Sequence, residues 1–537
     1  MSLPEALLQR LDFETAVKVE LATTNRLMPR RWDRLALVAH ASEIAKWLKA
    51  QYRRDKMEPP ASILFVDKNR KGTRPISELS IRDRVLYRSL VTLIAQSLPD
   101  ELVRRPPIES FRHAPLDVPN VRYISKTDVA AYYEFIDHEL LHDELLAQTG
   151  EALAIDALMD LLERMMGRRV GLPQVHKASD ILGDTYIDPA KRRLRRAGYE
   201  VYTFSDDFRI ASGSLAGARS ALEACAAEVR LLGLVLNESK TYTYAVDNYQ
   251  ASLTAFADAE AKLFDEETAL RDLRLLVESD YSDDDDDEDG EDEDAEPGFA
   301  LSDTEIEDIT DSDAIVEMNG TEERQAEVDR AQLRAARRAW EIWMDEDESE
   351  ETQSSRTAAV TEALLSRSLP ILGAGGDRHP LEYLSLVLRY EPALTPQTAK
   401  YIVGLAGNGK SARRLVRTRL DALCREDNFS TWQKMWLADA AGNVVRGDSD
   451  HAHYEWLVEC VRVGAPALAA TAAAALGKLG LSETDVVVGA LDRVGPSWRP
   501  LMLWGLALMD EDQAEANRED RVDQLLIEAT RTWRQPG

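Results

Sequence analysis

Three aspartates stand in settings that suit metal chemistry. Asp128 closes the run VRYISKTDV, rich in β-branched and apolar residues, and Asp206 with Asp207 lies between two further runs of that kind in VYTFSDDFRIAS. Hard divalent cations take carboxylate oxygens. Two such ions, Mg²⁺ or Mn²⁺, roughly 4 Å apart activate a hydroxyl nucleophile and stabilise a departing pyrophosphate. An isolated Asp-Asp pair is more often a solvated turn. The chemistry therefore depends on elements that carry Asp128 to the same place as the later pair.

Those elements are legible as patterns. Val121 to Val129 reads as a strand, and a helix should follow from His138. Residues 200 to 212 read as a β-hairpin with the acidic pair at its turn. Upstream, Ile81 to Leu98 puts Leu86, Leu90, Leu93 and Ile94 on one helical face, after a loop from Lys68 to Ser80 that contains Gly and Pro. From about residue 321 onward, short amphipathic segments such as LEYLSLVLRY, TAKYIVGLAG, HYEWLVECVRVG and RPLMLWGLAL recur between Gly and Pro. They predict an all-α array, HEAT-like or an irregular solenoid. The class is α+β.

With 537 residues, two or three domains are expected. Apolar residues are 44% and charged residues 30%, the balance of a globular chain. The net charge of −31 at first opposes contact with phosphates, but it is concentrated. Between Glu278 and Glu317 there are 21 Asp and Glu and no Lys or Arg, so the rest carries −31 + 21 = −10. Such a segment repels itself and buries nothing, which predicts an extended linker. The boundaries expected are 1–60 and 61–275 for an amino-terminal half, 276–320 for the linker, and 321–537 for the helical half.

Cys225, Cys424 and Cys460 are far apart and lack CxxC or Cys/His spacing, so neither a disulfide framework nor a zinc module is expected. The start does not read as a secretory signal. The longest apolar stretch, Pro466 to Leu476, is too short to span a bilayer. The expected location is cytoplasmic, without a membrane partner.

Four segments occur in a telling order: KTDVAAYYEFIDH, GLPQVHKASDILGDTYI, VYTFSDDFRIAS and LGLVLNESKTYTY. They resemble motifs A, B, C and D of reverse transcriptases, and the upstream DKNRKGTRPISELSIRDRVL is similar to the fingers segment of that family. The resemblance covers roughly residues 60 to 245. It implies a fingers and palm fold, with residues 1–60 forming a helical part of the fingers. It also implies that Asp128 and Asp206 ligate two metal ions, that Asp207 supports them, and that the Val129 carbonyl is a further ligand. By the same resemblance Tyr133 lies under the incoming sugar, Lys68 and Arg74 grip the triphosphate, and Gly171, Pro173 and Gln174 contact the nascent base pair. Lys240 takes the place of a lysine that protonates pyrophosphate. Two departures are visible: Phe204 stands where tyrosine is usual, and Val175-His176 follows GLPQ where many relatives have glycine.

The run KRRLRRAG, Lys191 to Gly198, would suit phosphate contacts or serve as a solvated helix face. Neither a zinc-finger or HNH-like cluster nor an RNase H set of carboxylates is evident, and the retron Val-Thr-Gly is missing. GLPQ with a following Ala-Ser pair, joined to a long helical region, looks most like the abortive-infection (Abi) and defence-associated reverse transcriptases of bacteria. That resemblance implies antiphage defence, dNTP substrates, an RNA template or noncoding RNA, a DNA product, untemplated or protein-primed synthesis, and homo-oligomers built through the helical half. The alternatives are a retron- or intron-like enzyme copying a dedicated RNA, and a catalytically idle RNA-binding scaffold.

Overall fold

The structure, a computed structural model, describes residues 3–54, 58–68, 72–254, 330–345, 355–445 and 451–533. The expected acidic linker and both of its boundaries lie outside the described residues. The amino-terminal half begins with α1 (Glu5–Leu8), α2 (Phe13–Ala22), α3 (Trp32–Leu37) and α4 (Ala41–Gln51). Next come β1 (Ser62–Lys68), β2 (Gly72–Glu78), α5 (Ile81–Ala95), α6 (Asp100–Val103) and α7 (Ile108–His113). The remainder is β3 (Tyr123–Asp128), α8 (His138–Thr149), α9 (Ala152–Met166), α10 (Lys177–Arg196), β4 (Glu200–Phe204), β5 (Asp207–Ser212), α11 (Leu215–Leu231) and β6 (Tyr242–Ala245).

The stretch from Lys68 to Ser80, expected as a loop, is mostly strand. β1 and β2 pair antiparallel from Ser62–Glu78 to Lys68–Gly72, and Pro75 stands opposite Phe65. A two-stranded sheet tolerates proline because each strand has an open edge. Alternation places Leu64, Val66 and Ile76 on one face, where all three are buried. Lys68 and Arg74 continue that same face toward the tip.

The second sheet has strand order β4-β5-β3-β6, all antiparallel. Its helices start and stop where side chains dictate. Asp137 caps α8 by accepting from the Glu139 and Leu140 amides, Ser80 caps α5 through the Asp83 amide, and Gly150 ends α8 in the left-handed region at φ 69°. α10 and α11 cover the sheet, with Leu182, Tyr186, Ala190, Ala221 and Cys225 buried.

The carboxy-terminal half is helical among the described residues: α12 (Arg330–Asp345), α13 (Ser355–Ala374), α14 (Leu384–Tyr390), α15 (Thr395–Gly407), α16 (Lys410–Leu423), α17 (Thr431–Asn443), α18 (Ala452–Val463), α19 (Pro466–Lys478), α20 (Thr484–Val488), α21 (Gly495–Met509), α22 (Glu511–Ala516) and α23 (Arg521–Trp533). Odd-numbered helices from α13 to α23 pack each on the next in one row, while α16, α18 and α20 form a second row. That is the order of a solenoid-like array. None of the described helices is long and apolar enough to cross a membrane.

The array grips the first half. Ser430 Oγ donates to Asp67 Oδ2 at 2.5 Å, Trp498 Nε1 to Ser62 Oγ at 3.0 Å, Ser497 Oγ to the Glu78 carbonyl at 2.9 Å, and Trp432 Nε1 to the Leu27 carbonyl at 2.5 Å. The Trp32 and Trp504 rings stack at 6.3 Å. The β1–β2 hairpin is thus held along its length by α17 and α21.

Candidate active site

β3 and β5 run antiparallel in a register that sets Asp128 directly opposite Asp207. Asp206 occupies the two-residue turn Ser205-Asp206 between β4 and β5, and its carbonyl accepts from the Val129 amide at 3.1 Å. The expected strand end and hairpin tip therefore meet at one end of one sheet. Ser205 sits at φ 49°, a backbone that favours glycine. The Tyr133 hydroxyl lies 3.0 Å from Ser205 Oγ and donates to Asp180 Oδ1 at 2.9 Å, which fixes the turn against α10.

Asp128 is 5% exposed. Lys240 Nζ lies 2.8 Å from its Oδ2, whereas its Oδ1 is buried without a hydrogen bond. Lys240 closes a short 3₁₀ turn, Glu238–Lys240, capped by Asn237. That turn is tied to β3 by the Asn237 amide on the Asp128 carbonyl at 2.8 Å and by a 2.7 Å hydrogen bond between the Thr127 and Thr241 hydroxyls. Asp207 Oδ1 meets Arg209 at 3.2 Å. A buried carboxylate oxygen lacking a donor suits a hard cation, so Asp128, with Asp207 opposite it and Asp206 in the adjoining turn, offers the kind of ligand atom a divalent ion takes. The three carboxylates are nonetheless spread more openly than Asp421, His451 and His453, whose ligand atoms all lie within 4.8 Å of one another.

The loop between α9 and α10 is built around the same residues. Gly171 has φ 95°, and a Cβ there would stand 3.0 Å from Met166 Cε and 3.3 Å from the Glu134 carbonyl. The Leu172 amide donates to the Tyr133 carbonyl at 2.7 Å, and Ser179 Oγ donates to the Pro173 carbonyl at 2.5 Å. Gln174 Nε2 donates to Glu134 Oε1 at 3.2 Å. The loop is thereby joined to the Tyr132–Glu134 turn, through the Tyr133 carbonyl and the Glu134 side chain, and that turn follows Asp128 and Val129 in the chain. Lys68 and Arg74 sit apart from this group, on the β1–β2 hairpin.

Both departures from the family pattern have local accounts. The Phe204 ring lies 5.5 Å from Phe111 with the Arg105 guanidinium 5.3 Å above it, a setting that makes no demand for a hydroxyl. Val175 adopts φ 63°, in the left-handed region that glycine enters without steric cost. For a β-branched residue this strain costs roughly 1–3 kcal/mol.

His176 is buried, with Nε2 2.9 Å from the Ser77 carbonyl, so it links the loop to the fingers hairpin. Burial, reinforced by the nearby Arg84 charge, pushes it down to about 3. The folded protein then binds fewer protons than the unfolded chain between about pH 6.5 and 3, and stability falls as pH drops through that window by roughly 1.4 kcal/mol per unit. His176→Gln is expected to flatten the decline in urea midpoint between pH 6.5 and 5 relative to the wild type. Parallel declines would show that His176 does not titrate as described.

Two arginines support the site although the motif resemblance gives neither of them a role. Arg105 Nε donates to Asp184 Oδ2 at 2.6 Å and a terminal nitrogen to the Asp180 carbonyl at 3.2 Å, so Arg105 supports the partner of Tyr133. Arg209 supports Asp207 and stacks 5.1 Å from Phe111. Conversely, the basic run is engaged within the protein: Lys191 pairs with Glu101, Arg192 with Glu144 and Asp188, Arg193 with Glu228, and Arg195 donates to the Val201 carbonyl.

The central strands of the four-stranded antiparallel sheet bring acidic residues together at one end. Residues 66–262, a little over a third of the chain, match the family model for reverse transcriptase (RNA-dependent DNA polymerase). The chain carries a reverse transcriptase domain, and the activity this domain indicates is RNA-directed DNA polymerase, a nucleotidyltransferase that uses nucleic acid and deoxynucleotides. Among solved structures the chain is similar to telomerase from Candida tropicalis in complex with a TWJ fragment of telomeric RNA, with TM-score 0.26 and 10% identity over 74% of this chain and 67% of that one. No curated protein sequence matches.

Proposed function

We propose that this chain is a divalent-metal-dependent DNA polymerase of the reverse transcriptase type, with Asp128, Asp206 and Asp207 as its metal-binding carboxylates. The observation that carries this reading is the register pairing of Asp128 with Asp207, with Asp206 in the adjoining turn. Bound Mg²⁺ or Mn²⁺, two ions, would supply Lewis-acid stabilisation of the phosphates. Asp128 and Asp206 would hold both ions, Asp207 would support them, and the Val129 carbonyl would add an oxygen. Tyr133, fixed through Asp180 and Ser205, presents its ring to the sugar and disfavours a 2′-hydroxyl. Gly171, Pro173 and Gln174 shape the wall beside the new base pair. Lys68 and Arg74 meet the triphosphate from the hairpin. Lys240, whose Nζ lies 2.8 Å from Asp128 Oδ2, would donate the proton to pyrophosphate.

The finer reading is a role in bacterial antiphage defence, with untemplated or protein-primed synthesis. It is supported by the GLPQ loop followed by Ala178-Ser179 and by the long helical array. The domains proposed are 1–60, 61–275, 276–320 and 321–537, and the helical half is the surface proposed for self-association. Purified protein incubated with labelled dNTPs and Mg²⁺ or Mn²⁺ is expected to make DNA, part of which stays with the protein after nuclease treatment. Absence of product under every template condition would overturn the polymerase reading. A single enriched copurifying RNA with complementary DNA would replace the defence reading with a retron-like one.

A further inference from the structure

Away from the palm, two helices of the second row bring a carboxylate and two imidazoles together. Asp421 lies in the last turn of α16. His451 is the N-cap residue of α18, and His453 is in the first turn of that helix. Asp421 Oδ2 is 2.8 Å from His451 Nδ1, and Asp421 Oδ1 is 2.6 Å from His453 Nδ1. Among the described residues this is the group of three or more His, Cys, Asp and Glu whose ligand atoms all approach within 4.8 Å of one another. His453 is 1% exposed, and Cys424 and Cys460, carried at the end of α16 and on α18, are buried thiols.

The plain alternative is a helix start held by an acid. Asp421 Oδ1 does accept the His453 amide at 3.0 Å, which serves that purpose with one oxygen. Two imidazoles also converge on the same carboxylate, one at each oxygen. A tetrahedral or open three-ligand ion about 2.0–2.2 Å from each donor needs donors only a few ångströms apart; here the ligand atoms all lie within 4.8 Å of one another, and an ion would take the place of the protons in the 2.6 and 2.8 Å carboxylate–imidazole hydrogen bonds with a small separation of the donors.

We propose that Asp421, His451 and His453 bind a transition metal ion of the zinc class, tying the end of α16 to the start of α18. Two nitrogens and one oxygen suit Zn²⁺ or Co²⁺, whereas Mg²⁺ and Ca²⁺ prefer oxygen alone. The site is therefore chemically distinct from the all-oxygen set on the palm. Three protein ligands leave a fourth position for water.

The test uses full-length, tag-free protein stripped with a chelator and titrated with Co²⁺. One equivalent is expected to bind with visible ligand-field absorption, to be displaced by Zn²⁺, and to persist in Asp206→Asn. His451→Ala and Asp421→Asn are each expected to abolish the absorption while the stripped variants melt within a few degrees of the stripped wild type. Zn²⁺ should raise the melting temperature of the wild type and of neither variant. No absorption with Co²⁺, or binding that persists in both variants, would overturn the proposal.

Discussion

Asp128→Asn is expected to lower the rate of nucleotide incorporation by at least about 10³-fold, equivalent to roughly 4 kcal/mol of barrier. The change keeps the shape of the side chain and removes the charge that two cations would share. Asp206→Asn should do the same, because Asp206 sits in the turn that delivers the other carboxylate. Lys240→Met should cost less, on the order of 10²-fold, the scale of one general acid. It also removes the cation at 2.8 Å from Asp128 without removing a carboxylate, and Asp128 Oδ1 lacks a protein donor in either case. Single-turnover incorporation with saturating dNTP separates these effects from substrate binding. Asp128→Asn retaining more than about a tenth of wild-type rate would remove Asp128 from the metal set.

The second large effect lies far from the carboxylates, where α19 and α21 cross with their backbones in contact. A Cβ on Gly505 would stand 2.5 Å from the Ala473 carbonyl oxygen and 2.6 Å from its carbon, and one on Gly477 would stand 2.5 Å from the Gly505 oxygen. Backbone cannot swing aside as a side chain can. Gly505→Ala gains roughly 1 kcal/mol of helix propensity, yet forces the two helices apart, and overpacking of this kind costs about 1–3 kcal/mol or more. A net loss of up to about 2 kcal/mol is expected. Gly407→Ala is the matched control, since Gly407 ends α15 where an added Cβ would meet nothing within 4 Å, and the change should be neutral or slightly stabilising.

The loss at Gly505 should extend to catalysis. α21 carries Trp498 and Ser497, which hydrogen-bond to Ser62 and to the Glu78 carbonyl at one end of the β1–β2 hairpin. Disturbing α21 loosens the hairpin that presents Lys68 and Arg74. Thermal inactivation of polymerase activity should therefore begin at a lower temperature in Gly505→Ala than in the wild type. Equal melting of Gly505→Ala and Gly407→Ala would contradict the backbone contact.

Much of this arrangement is legible in the residues, and the exceptions have physical reasons. The strand ending at Asp128 and the hairpin at Asp206-Asp207 follow from alternation and turn chemistry, both local properties. Lys68 to Ser80 reads as loop because its Gly and Pro outweigh the buried alternation of Val66 and Ile76, which becomes clear only once β1 supplies a partner. Arg105 supports the site through contacts with residues distant in the chain, and nothing in its spacing marks it; Asp180 and Arg209 lie inside the motif segments, but their supporting roles appear only once Tyr133 and Asp207 are placed beside them. Asp421 is separated from His451 and His453 by some thirty positions, so cysteine spacing gives no hint of it. The strain at Val175 emerges only from the structure, where φ is 63°, a left-handed conformation that a β-branched residue seldom adopts.

The polymerase reading depends above all on Asp128, Asp206 and Asp207 sharing divalent cations on the palm. Crystals grown with Mn²⁺ and a dNTP, measured at a wavelength where manganese scatters anomalously, test it most directly. The expected result is anomalous density in contact with Asp128 and Asp206, with the triphosphate on the same ions. Triphosphate bound with manganese touching neither aspartate would contradict it.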